Sequence, residues 1–226
     1  MPTLDRDGDV WILNLGDDEN RFHPDWMREV VGLVDEVAGQ PTPRALVTTA
    51  TGKFYSNGLD LDWLGANSDS IEDYVAQVHD LFARFLAAPL PTVAAIQGHA
   101  FAAGAMLTLA HDWRVMRADR GFWCLPEADI NIPFTAGMNA LIQSKLTPAT
   151  QAAAMLAARR FGGDDALAAA IVDASEPEDQ VVGRAVELAA GQAGKDGNTL
   201  ATIKSRMYER ELAVLADREA NRFGPA

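Results

Sequence analysis

The sequence predicts an α/β fold, and three observations carry that expectation. Short apolar runs rich in β-branched residues alternate with longer segments whose apolar residues recur at helical spacing. The runs Ala45-Leu46-Val47-Thr48-Thr49-Ala50 and Thr92-Val93-Ala94-Ala95-Ile96 lack a polar face, as strands buried on both sides do. Proline and glycine punctuate the junctions between the two kinds of segment.

Thr3 to Arg6 and Val10-Trp11-Ile12-Leu13-Asn14-Leu15 read as two strands joined across Asp7-Gly8-Asp9. Asn20-Arg21-Phe22-His23-Pro24 opens a helix in which Trp26, Val30, Val31, Val34 and Val37 recur up to Ala38, and Pro41 and Pro43 stop it. Ala45 to Ala50 is strand, and Gly52 to Gly58 is loop. Ser70 caps a helix reaching Ala88, with Ile71, Val75, Val78, Leu81, Phe82 and Phe85 on its apolar side. Pro89 and Pro91 end it before the strand Thr92 to Ile96. Gly98 to Gly104 leads into a helix over Ala105 to Ala110, and Trp113 to Met116 resumes strand. Helices are expected over 134–143, 148–159, 164–169 and 181–193, with one more over 198–222. Gly191 to Gly197 is the only linker-like composition, so the expected division is a core of residues 1–193 and a C-terminal helical segment of residues 194–226.

The chain has 226 residues, 48% of them hydrophobic, and a formal net charge of -13. That apolar content supports a packed core. The charge argues against a nucleic-acid surface, which needs clustered Lys and Arg. A single cysteine, Cys124, allows neither an intramolecular disulfide nor a cysteine zinc cluster, and within Phe122-Trp123-Cys124-Leu125 it reads as a small core residue. The histidines show no metal-ligand spacing. His23 is expected to be structural, His79 to lie on the exposed side of its helix, and His111 to cap a helix C-terminus. Pro89, Pro91, Gln97, Gly98, His99 and Gly104 interrupt the most apolar region, which argues against a membrane span. Met1 to Asp7 shows no signal pattern and Phe223-Gly224-Pro225-Ala226 no peroxisomal tripeptide, so a cytoplasmic location is expected.

Two segments, Lys53-Phe54-Tyr55-Ser56-Asn57-Gly58-Leu59-Asp60-Leu61 and Pro91 to Gly104, each follow an expected strand. In this order they resemble the CoA-thioester segments of the crotonase (enoyl-CoA hydratase/isomerase) family. Leu125-Pro126-Glu127-Ala128-Asp129-Ile130-Asn131-Ile132-Pro133 resembles that family's catalytic glutamate region. With Arg21-Phe22-His23-Pro24 and Ser56-Asn57-Gly58, the chain looks nearest to the monofunctional 3-enoyl-CoA to 2-enoyl-CoA isomerases. The resemblance spans residues 3 to 175 and implies a spiral of ββα turns with a helical C-terminus, assembled as homotrimers or hexamers. It implies no cofactor, CoA being part of the acyl-CoA substrate.

The resemblance assigns the oxyanion donors to the backbone N–H groups of Leu59 and Ala103. Ala103 sits at the mouth of an expected helix, where free N–H groups and the helix dipole favour an anion. Glu127 is the implied acid/base, and its apolar surroundings should raise its pKa into a useful range. Ser56, Asn57, Gly58, Trp63, Phe101, Gly104, Met106 and Phe134 are the expected substrate-binding residues. Asp60 reads as a loop or cap group and Asp129 as structural. Met106 stands where the family's hydratases place the first of two glutamates. Methionine cannot hold or deprotonate water, so the departure favours a 1,3-proton shift over hydration. A crotonase-fold hydratase or thioester hydrolase is the alternative, and a CoA-binding protein without catalysis the third reading. Acyl length and double-bond geometry stay open, as does substrate contact by His99, Lys204 or Arg206. For the last two a solvated face is the leading expectation.

Overall fold

Three consecutive strand–strand–helix units form the middle of the chain, and a hairpin precedes them. The computed structural model describes residues 1–222, and the tetrapeptide Phe223 to Ala226 discussed above lies outside the described residues. Strands β1 (Thr3–Asp7) and β2 (Val10–Asn14) pair antiparallel through a turn in which Gly8 has φ +58°, a value glycine adopts readily. Helix α1 (Pro24–Ala38) follows, with the His23 ring as N-cap accepting from the N–H of Asp25, the structural role expected for it.

The first unit is β3 (Ala45–Thr49), β4 (Phe54–Ser56), α2 (Leu61–Ala66) and α3 (Ile71–Leu86), with a 3-10 turn at Ser68–Ser70. The second is β5 (Thr92–Ile96), β6 (His99–Phe101) and α4 (Ala103–Ala110). The third is β7 (Trp113–Arg117), β8 (Trp123–Cys124) and α5 (Glu127–Ile130). Each unit gives its first strand to a six-stranded sheet of order β1-β2-β3-β5-β7-β9 and its second to a three-stranded sheet of order β4-β6-β8. Every unit therefore advances one step along both sheets, which makes the path a spiral of ββα turns.

The remaining elements are α6 (Ala136–Lys145), α7 (Pro148–Gln151) running into a π turn (Ala152–Leu156), and α8 (Gly163–Ala168). Strand β9 (Ala174–Glu176), α9 (Val181–Ala190), α10 (Gly197–Met207) and α11 (Glu209–Ala216) complete them. Both faces of the large sheet are covered. Leu46, Ala94 and Met116 join the main core with residues of α1, α3, α4 and α6, while Val47, Val93 and Val115 pack with Val181, Ala185 and Ala189 of α9. This double burial explains why the strands lack a polar face in the sequence.

The long helix expected over 198–222 is two helices. It breaks at Tyr208, which is buried and receives a 2.7 Å hydrogen bond from Lys145 Nζ. The helix expected over 148–159 gives way to the π turn. His79 departs from its expected exposed position: it is buried, its Nε2 lies 2.9 Å from Thr135 Oγ1, and burial lowers the imidazole to about 4. His111 caps as expected, with Nδ1 donating to Leu107 O at 2.9 Å. Its Nε2 must then accept from the Thr48 hydroxyl at 2.8 Å, which in turn accepts from Tyr55 Oη at 2.7 Å. This buried chain ties β3, β4 and α4 together.

Lys204 also departs from the solvated face expected for it. It is buried, donating to Leu90 O at 2.8 Å and pairing with Asp112 Oδ2 at 2.6 Å, whereas Arg206 is exposed as expected. Lys204→Ala leaves Asp112 without its cation in a mostly buried place and is expected to cost about 3 kcal/mol of stability. Urea denaturation measures this, and a loss within about 0.5 kcal/mol of zero would contradict it. Residues beyond α10 pack back on the core. Leu215 of α11 lies against Gly137, and the buried Asn221 accepts the Gly137 N–H of α6 at 2.7 Å.

Candidate active site

The three strands of the small sheet are parallel, so their C-terminal ends lie side by side. Just beyond the last strand residues Ser56, Phe101 and Cys124 come Leu59, Ala103 and Glu127. One topological fact thus gathers three sequence-distant positions. A cavity of about 360 Å³ opens there, lined by Arg21, Asn57, Leu59, Leu61, Asp62, Phe101, Ala102, Pro126, Glu127, Ile130 and Ile132.

The first two loops touch. Gly58 has φ +80°, and a Cβ built on it would lie 2.8 Å from Ala103 N and 2.9 Å from Phe101 O. Gly104 permits an equally close approach, since its Cβ would lie 2.4 Å from Ser56 O. Ala102, the N-cap of α4, is held at φ 52°, ψ -128°, a conformation that costs a non-glycine residue about 1–3 kcal/mol. That conformation sets the direction of the next peptide group. Neither the N–H of Leu59 nor that of Ala103 finds an acceptor among the described residues. Two free backbone donors thus stand at one wall of the cavity, an arrangement suited to a developing oxyanion.

Glu127 begins α5 and is only 6% exposed. Its Oε2 is buried and has no hydrogen-bond partner among the described residues. Burial raises its pKa to about 7, partly offset by a hydrogen bond from its own N–H. Near neutrality such a carboxyl both takes and gives a proton.

The segment before α1 braces the first loop. Asn20 Nδ2 donates to Tyr55 O at 3.1 Å, Asn57 N to Glu19 O at 2.9 Å and Phe22 N to Gly58 O at 2.8 Å. Arg21 lies at the cavity mouth, where it bonds Glu19 through Nε and Asp62 Oδ2 through Nη1 at 2.5 Å. Among the described residues, no group of three or more His, Cys, Asp or Glu side chains is placed to hold a metal ion, and no helix is long and apolar enough to cross a membrane.

The enoyl-CoA hydratase/isomerase family profile matches residues 10–222. The chain belongs to that family. Its match continues through the C-terminal helices, well past residue 175 where the sequence resemblance faded. Within the family, the chain is 37% identical to Enoyl-CoA delta isomerase 3 of Arabidopsis thaliana, over 98% of this chain and 97% of that protein. It is 36% identical to the peroxisomal Enoyl-CoA delta isomerase 2 of the same plant, over 95% of each. The fold is also that of the human mitochondrial delta3-delta2-enoyl-CoA isomerase, with TM-score 0.88 at 22% identity over 97% of this chain and 87% of that one.

Of the site residues expected from this family's motifs, Asn57, Leu59, Phe101 and Glu127 line the cavity, and Gly58 and Ala103 adjoin its wall. The others do not line it. Ser56 braces the loop instead, its Oγ donating to Asn20 O at 2.7 Å and accepting from Gly58 N at 3.1 Å. Gly104 is a packing glycine against Ser56. Trp63 stacks on Tyr74 with 5.2 Å between centroids, Met106 is buried in the core at 1% exposure, and Phe134 packs against that core. Asp60 caps α2 as expected, accepting from Trp63 N at 3.1 Å. Asp129 is exposed on a helical turn, not on an extended segment facing the same side as Glu127. His99 does not line the cavity; its Nδ1 accepts from Phe122 N at 3.2 Å. Arg21, Leu61, Asp62, Ala102, Pro126, Ile130 and Ile132 were not among the expected site residues. Arg21, Leu61, Ala102, Pro126, Ile130 and Ile132 lie inside the motif segments and Asp62 directly follows one, so the motifs carried the signal for them.

Proposed function

We propose that the protein is an enoyl-CoA isomerase that moves the double bond of a 3-enoyl-CoA to the 2 position. In this reading Glu127 removes a proton from the α carbon, and the bond's electron pair delocalises into a dienolate with charge on the thioester oxygen. The N–H groups of Leu59 and Ala103 stabilise that oxygen. Glu127 then returns the proton to the γ carbon, and the 2-enoyl thioester forms. The observation that supports this most is a buried carboxyl, its Oε2 without a partner among the described residues, in the same cavity as the free N–H of Leu59 and close to that of Ala103. Leu59, Leu61, Phe101, Ile130 and Ile132 give that cavity apolar walls suited to an acyl chain.

Hydration calls for a second carboxylate to position water, and Met106 stands in its place in a buried setting. The identity to two delta isomerases supports the same reading. One of them is described as peroxisomal, so the cytoplasmic expectation gains no support from the likeness. Assembly as homotrimers or hexamers belongs to the same proposal. The exposed Ile203 and Met207 of α10 offer an apolar surface for it, and sedimentation returning only monomer removes it.

The test incubates the purified protein separately with 3-enoyl-CoA and 2-enoyl-CoA. Conversion of the first to the second without hydroxyacyl-CoA or free CoA is the expected result. Hydroxyacyl-CoA from the 2-enoyl substrate would make the protein a hydratase, and free CoA a hydrolase.

A further inference from the structure

We propose that Asp62 is a displaceable counter-ion for Arg21, and that Arg21 exchanges it for a phosphate of the CoA moiety when the thioester binds. This rests on the reading of the ligand as an acyl-CoA. CoA is a polyanion and the chain carries net charge -13, so its phosphates need a local cation. Arg21 is the one Lys or Arg among the described residues that line the cavity holding Glu127 and Leu59. It also lines an adjoining cavity with Asp18, Glu19, Asn20, His23, Trp26 and Asp60, so it stands at the boundary of the two.

The guanidinium is pre-aimed but not saturated. Glu19 holds Nε, Asp62 takes Nη1 at 2.5 Å, Asp60 is 3.9 Å from Nη1, and Nη2 has no acceptor among the described residues. Hydrogen bonding to Asp62 and Glu19 raises its pKa, so it stays charged. Asp62 is the partner most easily released. Its side chain is 88% exposed, and it sits on α2, a helix with no buried residue. Exposed ion pairs of this kind add little stability, whereas a phosphate offers two oxygens to an arginine fork. Glu19 keeps its hold on Nε and preserves the aim. While Asp62 remains, it competes with the incoming phosphate, which makes it a residue that sets affinity for phosphorylated thioesters.

The test measures dissociation constants by calorimetry for butyryl-CoA, butyryl-3′-dephospho-CoA and S-butyryl-pantetheine, saturated thioesters that undergo no isomerisation. Arg21→Gln is expected to weaken butyryl-CoA relative to S-butyryl-pantetheine by about tenfold. Asp62→Asn is expected to strengthen it on the same scale by about threefold. A change confined to the step between CoA and dephospho-CoA identifies the 3′-phosphate, and a change in the other step the pyrophosphate. Ratios unmoved in both variants, or all three thioesters shifting together, would overturn the proposal. Wild-type binding of butyryl-CoA without turnover of 3-enoyl-CoA would sink the isomerase reading and leave this one standing.

Discussion

Glu127→Gln is expected to abolish double-bond migration and to make the protein more stable at pH 8. With no second carboxylate to share the task, the loss in kcat should be about a thousandfold or more. The stability gain follows from the same burial. The folded carboxyl titrates at about 7 against an ordinary 4.5. Below the lower value it is neutral in both states and has no effect. As pH rises from there to about 7, the unfolded chain releases the proton and the folded protein retains it, so stability falls. Above 7 the deficit is constant, at about 3 kcal/mol, since each pKa unit is worth about 1.4 kcal/mol. Glutamine removes that penalty. Urea denaturation of both proteins should show the variant ahead at pH 8 and the two converging near pH 4.5. Wild-type kcat/KM should climb about tenfold per pH unit below 7 and level off above it. Unchanged turnover in the variant removes Glu127 from the mechanism.

Gly58→Ala is expected to lower kcat by about a hundred- to a thousandfold, the range seen when one oxyanion donor is lost. The added methyl would sit 2.8 Å from Ala103 N, 2.9 Å from Phe101 O and 3.1 Å from Gly104 N. All three are backbone atoms, so no side chain can turn aside, and the φ of +80° is strained for alanine as well. The two loops must move apart, carrying the Leu59 and Ala103 donors with them. Gly65→Ala is the matched control, because nothing lies within 4 Å of its added Cβ. If Gly58→Ala turns over 3-enoyl-CoA like that control, the paired-donor assignment fails.

The long buried strands and amphipathic helices were legible in the sequence because their periodicity is strong. Helix α3 presents Val75, Val78, Phe82 and Phe85 to the core, as its spacing indicates. The short strands of the small sheet were not. Phe54–Ser56, His99–Phe101 and Trp123–Cys124 are too brief to show alternation, and their pairing is entirely non-local. Those strands carry the site, so its assembly was visible only through the motifs that follow them. Glu127, Leu59 and Phe101 could be named that way. Met106 reads as a ligand contact through its match to a hydratase glutamate, and Trp63 and Phe134 through apolar character, which does not distinguish a pocket wall from the core behind it. The strain at Ala102 has no signature in the sequence, because alanine gives no sign of a positive φ. Lys204 and His79 read as surface groups because their partners, Asp112 and Thr135, are distant along the chain.

The hydrogen bond from Gly137 to Asn221 bears on the order in which the molecule is made. The first turn of α6 waits for an acceptor more than eighty residues downstream, and Gly137 stays uncovered until Leu215 arrives as well. A nascent chain on the ribosome, having already threaded its spiral, would still lack the piece that seals it. A translation product cut short before Asn221 is expected to be a ready client for chaperones and proteases.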